Sequence, residues 1–301
     1  MAIFIPSYGI SQDIHWGAVK GLFPNKNIMG RQMVFAILTL ALAEPKAVPV
    51  WLRRCCLGMA VVLLLLANAA TALVTAIFCT LMYPVLSLLR VSKQRTLPLW
   101  VPVAPIFALS LFAVVANYGA LAQSLGRNAT LTGRVPLWHA VIGAIWQHPW
   151  FGYGYNVFWK RDTGELAKVI YAARFPAMHA HNGYLDILLA MGALGLLVFF
   201  GGYLTSLFRA YRVFRMDEIR GAKWPLLFLL FFAVFNLTES AILRPMSFLW
   251  IPFVSTYVSL ALMRVAATSE DPEYARNAVA GSAVEDANHG GVNSIVPGYG
   301  V

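Results

Sequence analysis

Charge is what this sequence has least of. Only 12% of its 301 residues are Asp, Glu, Lys or Arg, against about a quarter in a soluble globular domain. The chain is 59% hydrophobic, and several runs approach the roughly 20 apolar residues a helix needs to cross a bilayer. A soluble class is excluded. Cysteine is scarce as well. Cys55 and Cys56 are adjacent and Cys79 lies inside an apolar run, which excludes a disulfide framework and a CxxC metal spacing. Acidic residues are outnumbered, 13 against 23 basic. The basic ones are dispersed among loops, so they form no nucleic-acid-binding stripe and read instead as topology signals. No internal repeat is present, which weighs against inverted-repeat transporters. Residues 1–28, with Pro6, Gly9, Asp13, Lys20 and Lys26, hold no continuous apolar core of the kind a leader peptide uses.

What is present is apolar periodicity on a helical scale. The expectation is an all-α polytopic membrane protein with about seven spans, at 29–44, 50–67, 71–89, 97–117, 183–208, 224–240 and 246–264. The loops at 44–54, 90–95 and 209–223 together hold eleven Lys or Arg, so the positive-inside rule puts them in the cytoplasm. Residues 1–28 then form an external loop, 29–117 four spans, 118–182 a large external loop and 183–264 three spans. Residues 265–301, rich in Gly, Ala, Asn and Ser without apolar periodicity, are expected to be a disordered cytoplasmic tail.

Candidate chemistry gathers at the outer ends of the spans. In the stretch "LTGRVPLWHAVIGAIWQHPWFGYGYNVFWK" (131–160), Pro136 suits a first turn, and Leu137, Val141 and Ile145 with Trp138 and Ile142 repeat at helical spacing. An amphipathic interfacial helix is expected, anchored by Trp138, Trp146, Trp150 and Trp159. Arg134 sits in its first turn, where a guanidinium beside free helix N–H groups suits a phosphate or diphosphate; a lipid headgroup is the alternative. In "FPAMHAHNGYLDILLAMGALGLLVFF" (175–200), His181 stands at the mouth of a span. It can accept a proton from a hydroxyl or simply act as a polar helix cap. A metal site would need more ligands, and the nearest carboxylate in the chain, Asp186, falls within the expected helix. Glu239 lies at the outer end of the sixth span, where a carboxylate is costly unless paired, which makes it a candidate for substrate binding; an ion pair with Arg244 is the alternative. Lys26, Arg31 and Arg174 add positive charge on the same side, which suits an anionic lipid-linked substrate.

Three stretches, "GLFPNKNIMG" (21–30), "TGRVPLWHAVIGAIWQHPWFGYGYNVFW" (132–159) and "HAHNGYLDILLAMGALGLLVF" (179–199), resemble the family of O-antigen ligases and O-antigen or exopolysaccharide polymerases, with the aromatic-rich form nearest the exopolysaccharide polymerases. The resemblance implies a GT-C-like membrane fold in the bacterial inner membrane and a metal-independent, inverting glycosyltransferase acting at the periplasmic face. The donor would be an oligosaccharide on undecaprenyl diphosphate. The implied partners are membrane lipids and other polysaccharide-assembly proteins, with no cofactor and no nucleic acid. By the same resemblance Arg134 binds the diphosphate, His181 is the essential histidine and Asn182 orients it. Lys26 matches the family's lysine, and Trp138 and Tyr153 are aromatic candidates for the glycan; His179 is read as a bystander. This chain has "NAAT" (68–71) where family members carry a Ser/Arg-Thr turn. Family members also have further N-terminal spans, so the chain is expected to be an N-terminally truncated member. An O-antigen ligase joining glycan to lipid A core, a lipid-linked glycan transporter without chemistry, and an inactive fragment are the competing readings.

The topology is testable by reporter fusions. Fusions at residues 92 and 216 should report cytoplasm, and one at residue 165 the exterior. A cytoplasmic signal at 165 contradicts the placement of every candidate residue in the large loop.

Overall fold

A computed structural model describes residues 9–10, 19–42, 48–91, 134–160, 164–215, 221–244 and 247–268. Eight helices account for most of these residues: α1 (Lys26–Leu42), α2 (Val50–Ala67), α3 (Ala70–Val91), α4 (Arg134–Ile145), α5 (Gly164–Ala173), α6 (Gly183–Arg215), α7 (Lys223–Phe235) and α8 (Trp250–Thr268). Among the described residues the extended pairing is a single isolated bridge, Ile10 with Val19. The chain is all-α. The expected span at 97–117 and the tail from 269 onward lie outside the described residues.

Among the described residues three helices, at Val50–Ala67, Ala70–Ser87 and Gly183–Arg215, are long and apolar enough to cross a membrane, and two shorter apolar helices run over Lys223–Phe235 and Trp250–Met263. The outward faces of α2 and α6 carry Met59, Val62, Leu65, Leu197, Val198 and Phe208. A water-facing surface seldom gathers so many large apolar side chains; lipid is the solvent they fit. The turn between α2 and α3 uses Asn68 in the left-handed conformation, its N–H returning to Leu65 O at 3.1 Å. Asparagine tolerates that conformation better than most residues. α1 closes against this turn because Gly30 has no side chain: a Cβ there would lie 2.9 Å from the methyls of Ala69 and Ala72.

The bundle core is built from α1, α2, α3, α6, α7 and α8, with Phe228, Phe231, Phe232 and Phe235 of α7 fully buried. A second, smaller core joins Leu137, Val141, Ala144 and Ile145 of α4 to Leu166, Val169 and Ala173 of α5 and to Leu189 of α6. Of the face expected for α4, Leu137, Val141 and Ile145 are buried against protein, whereas Ile142 is exposed. Trp138 and Trp159, expected as interfacial anchors, are internal struts: their indole N–H groups donate to Ala180 O at 2.8 Å and to Asp186 Oδ1 at 2.9 Å. Trp146 and Trp150 remain exposed. Helix α5 has no counterpart in the sequence reading.

The two cores meet at a break in α6. Gly192 has φ 64° and ψ −163°, a region open essentially to glycine alone. The interruption frees backbone groups that the 149–154 loop takes up. Tyr153 and Gly154 donate to Leu189 O and Ala190 O at 2.7 and 2.9 Å, and Ala193 donates back to Pro149 O at 2.8 Å. A Cβ on Gly152 would lie 2.6 Å from Leu189 O, and one on Gly192 would strike the Trp150 carbonyl. Residues 193–215 are still long enough to cross about 30 Å of hydrocarbon.

Gly192→Ala should lower the thermal stability of the detergent-solubilised protein by at least about 1–3 kcal/mol from backbone strain, with the collision in addition. Gly201→Ala, also in α6 but with open space around it, should be neutral or stabilising by up to about 1 kcal/mol. Equal behaviour of the two variants in thermal unfolding would contradict this account of the break.

Candidate functional site

Three segments distant in sequence converge at the end of the bundle: the first turn of α4, the loop 175–182 before α6, and the turn 236–244 after α7. Local chemistry fixes each. Asn182 caps α6, its Oδ1 accepting from the N–H groups of Tyr184 and Leu185 at 3.0 and 3.1 Å, while its Nδ2 donates to Leu237 O at 3.0 Å. Asn236 closes α7 with its own amide: Nδ2 donates to Phe232 O at 2.7 Å, and Oδ1 accepts from Ala241 and Ile242 N–H at 2.9 and 3.2 Å. Gly183 N–H bridges the two segments by donating to Asn236 O and Glu239 O. Asp186 adds a third tie, accepting from Ala180 N–H, Trp159 Nε1 and the Ser240 hydroxyl.

This scaffold holds Glu239 in the turn beyond the end of α7, 7% exposed. Its Oε1 lies 2.6 Å from a guanidinium nitrogen of Arg134, and a second Arg134 nitrogen donates to Thr238 O at 2.6 Å. Its Oε2 lies 3.6 Å from Nδ1 of His181, an electrostatic contact rather than a full hydrogen bond. Asn27 Nδ2 reaches Oε1 at 3.4 Å. Burial raises the pKa of this carboxyl, but the adjacent His181 ring and the Arg134 charge outweigh it and hold Glu239 below the usual carboxylate range. His179 packs against His181 with ring centroids 4.0 Å apart. Burial, then the neighbouring His181 and Arg244, pushes His179 down to about 3, so its ring is neutral at pH 7.

The structure thus brings Arg134, His181 and Glu239 together. The partner of Glu239 is Arg134 and not Arg244, because the loop reaches across 105 positions of chain that spacing alone could not relate. Asn182 makes its contacts with helix N–H groups and Leu237, so it positions the backbone of the His181 loop. Lys26 begins α1 and donates to the Asn68 carbonyl at 3.3 Å, and the Thr71 and Thr238 hydroxyls pair at 3.1 Å, so the "NAAT" segment lines the same end of the bundle. Arg31 is mostly buried, close enough to Glu239 and Arg244 to feel both charges, with its Nε lacking a hydrogen-bond partner. Tyr153 is tied to Ala144 O at 3.0 Å and stacks edge-on against His148 and Phe158, and Trp138 holds Ala180. Both serve the scaffold. Arg174 is exposed beyond α5 in the left-handed conformation, φ 60°, and makes no ion pair with the cluster among the described residues.

Two members escaped the sequence reading. Asn27 stood within a quoted stretch without a role. His179 was set aside, but the left-handed turn at His181, φ 49°, brings the two rings into contact. Beside the cluster, a cleft lined by Tyr155, Trp159, Asp186 and Arg244 holds about 50 Å³, room for water and not for a sugar ring.

Comparison with known proteins adds two findings. The family model described as O-antigen ligase matches residues 55–200, which include Arg134, His179, His181 and Asn182 but not Lys26, Arg31 or Glu239. The exopolysaccharide production protein ExoQ of Rhizobium meliloti (strain 1021) is 28% identical over 88 residues, 28% of this chain and 20% of that protein. The chain matches about a fifth of the relative's length. Both findings support the O-antigen ligase and polymerase family.

The cap assignment is separable from any catalytic part played by Asn182. Asn182→Ala should lower stability by about 0.5–2 kcal/mol, the usual worth of an N-cap, whereas Asn182→Ser, which keeps an acceptor, should stay near the parent. Thermal unfolding checks it; an unchanged alanine variant removes the cap from the account.

Proposed function

We propose that this chain, whose residues 55–200 carry the pattern of the O-antigen ligase and polymerase family, is a membrane glycosyltransferase of polysaccharide biosynthesis that uses glycan repeat units on undecaprenyl diphosphate at the periplasmic face of the inner membrane. The observation that supports it most is the shared carboxylate: Glu239 touches Arg134 with one oxygen and faces His181 with the other. A diphosphate-binding cation and a proton acceptor are thereby held within one side chain's reach.

In this reading the donor diphosphate displaces Glu239 Oε1 from Arg134. A guanidinium meets two phosphate oxygens in a planar fork, so the exchange trades one anion for a doubly charged one. Lys26 and Arg31 add field of the same sign. The acceptor hydroxyl oxygen then bonds to the anomeric carbon while the bond from that carbon to the diphosphate oxygen breaks. Undecaprenyl diphosphate leaves with the electron pair, its growing charge met by Arg134, and the hydroxyl proton passes to His181. Attack from the face opposite the leaving group inverts the anomeric centre. Glu239, released from Arg134, turns its charge to the imidazolium that forms, as the carboxylate of a Ser-His-Asp triad does. No step uses a metal ion, because the guanidinium supplies the charge stabilisation.

Polymerase is the reading adopted, on the exopolysaccharide relative. A ligase would differ in the acceptor, lipid A core in place of a growing glycan, with the same residues.

The test is polymer formation in cells lacking the native activity, with each variant at matched membrane abundance. Arg134→Lys should lose most activity although charge is retained, since lysine has no fork. His181→Ala should cost about a hundred- to ten-thousand-fold in rate and leave thermal stability intact. Near-normal polymer from either variant contradicts the role given to that residue.

A further inference from the structure

His179, His181 and Glu239 each present one donor atom, a ring nitrogen or a carboxylate oxygen, and these atoms lie within 4.8 Å of one another. The Nδ1 atoms of both histidines are buried and have no hydrogen-bond partner. Buried polar atoms are rarely left so. Glu239 spends Oε1 on Arg134 and keeps Oε2 toward the rings. Three donor atoms from two chain segments therefore lie close together.

We propose that His179, His181 and Glu239 form a three-ligand site for a borderline transition-metal cation, zinc or copper(II), and that its occupancy inhibits the enzyme. The surroundings select the metal. Arg134, Arg31 and Arg244 lie around the cluster, and a single carboxylate cannot hold a hard cation against them. Magnesium and calcium, which need several oxygen ligands, are excluded. Zinc and copper bind well to imidazole nitrogen, and two of the three donors here are imidazoles. Zn–N bonds of ~2.0–2.1 Å put tetrahedral ligand atoms roughly 3.4 Å apart, so the side chains must close by about an ångström, within the reach of χ rotations. Three protein ligands leave the fourth position open to water or a substrate oxygen.

Inhibition follows from the chemistry of the ring. An imidazole bound to metal through either nitrogen carries N–H on the other, so it has no lone pair left to accept a hydroxyl proton. Glu239 is tied down by the same event. This second half of the proposal rests on His181 being the base; the binding half does not.

The experiment uses the full chain purified in detergent without a polyhistidine tag, in a Cys55→Ser, Cys56→Ser background that removes the vicinal thiols as competing ligands. Calorimetric titration with zinc chloride should give one site per chain and with magnesium chloride none, and zinc should raise the thermal unfolding temperature. His179→Gln and, separately, His181→Gln should each weaken zinc binding by about tenfold or more and abolish that thermal shift. Cobalt(II) should give the visible absorption of a four-coordinate site in the parent and lose it in both variants. Zinc binding that survives both substitutions, or no stoichiometric binding in the parent, overturns the site. Glycan elongation is then measured with and without saturating zinc. Loss of activity in the parent supports the inhibitory assignment. Full activity with zinc demonstrably bound overturns it, and with it the role of His181 as base, while the binding data stand on their own.

Discussion

A carboxylate sealed at the end of an apolar helix must be met by an opposite charge, and the rest of this molecule is arranged around that requirement. Glu239 stands beyond four fully buried phenylalanines of α7. An unpaired charge there would cost several kcal/mol. Arg134 supplies the pair, and in doing so the first turn of α4 docks the small 134–182 core onto the bundle. The same contact leaves Oε2 facing His181. Structural necessity and candidate chemistry share one side chain.

The second constraint is the break in α6. A continuous helix would satisfy its own backbone and offer the loop nothing. Gly192 opens the ladder, and the Pro-Trp-Phe-Gly-Tyr-Gly turn closes it from outside through main-chain bonds to Leu189, Ala190 and Pro149. That exchange fastens the loop that follows α4 to α6. Trp138 then reaches Ala180 and sets the loop that carries both histidines. The glycines in these stretches are needed for close backbone approach, and the aromatic residues between them serve largely as struts.

The histidine pair gains meaning from the same geometry. The site is basic overall, yet its centre offers neutral nitrogens and one shared anion. A bound diphosphate and a bound metal ion would draw on Glu239 from opposite sides, the first by claiming Arg134 and the second by claiming Oε2. The proposed catalysis and the proposed inhibition therefore meet at one carboxylate, which the diphosphate releases and the metal ion takes up.

The sequence by itself determined the class, because poverty of charge and apolar runs on a bilayer scale leave few alternatives. It located α2 over 50–67 and the start of α6 at 183, since the ends of apolar runs are marked by neighbouring polar residues. It also singled out Arg134, His181 and Glu239, each from its own local setting. It did not relate them. Asp186 was the nearest carboxylate along the chain and Arg244 the nearest partner for Glu239, and the fold replaced both, with Glu239 and Arg134 respectively. α5 was missed because the ten-residue helix draws its stability from packing Leu166, Val169 and Ala173 onto α4, which no local propensity records. Periodicity and capping are short-range and can be read off a string; pairing a buried charge depends on which distant segment folds within 3 Å, and only the tertiary structure decides that.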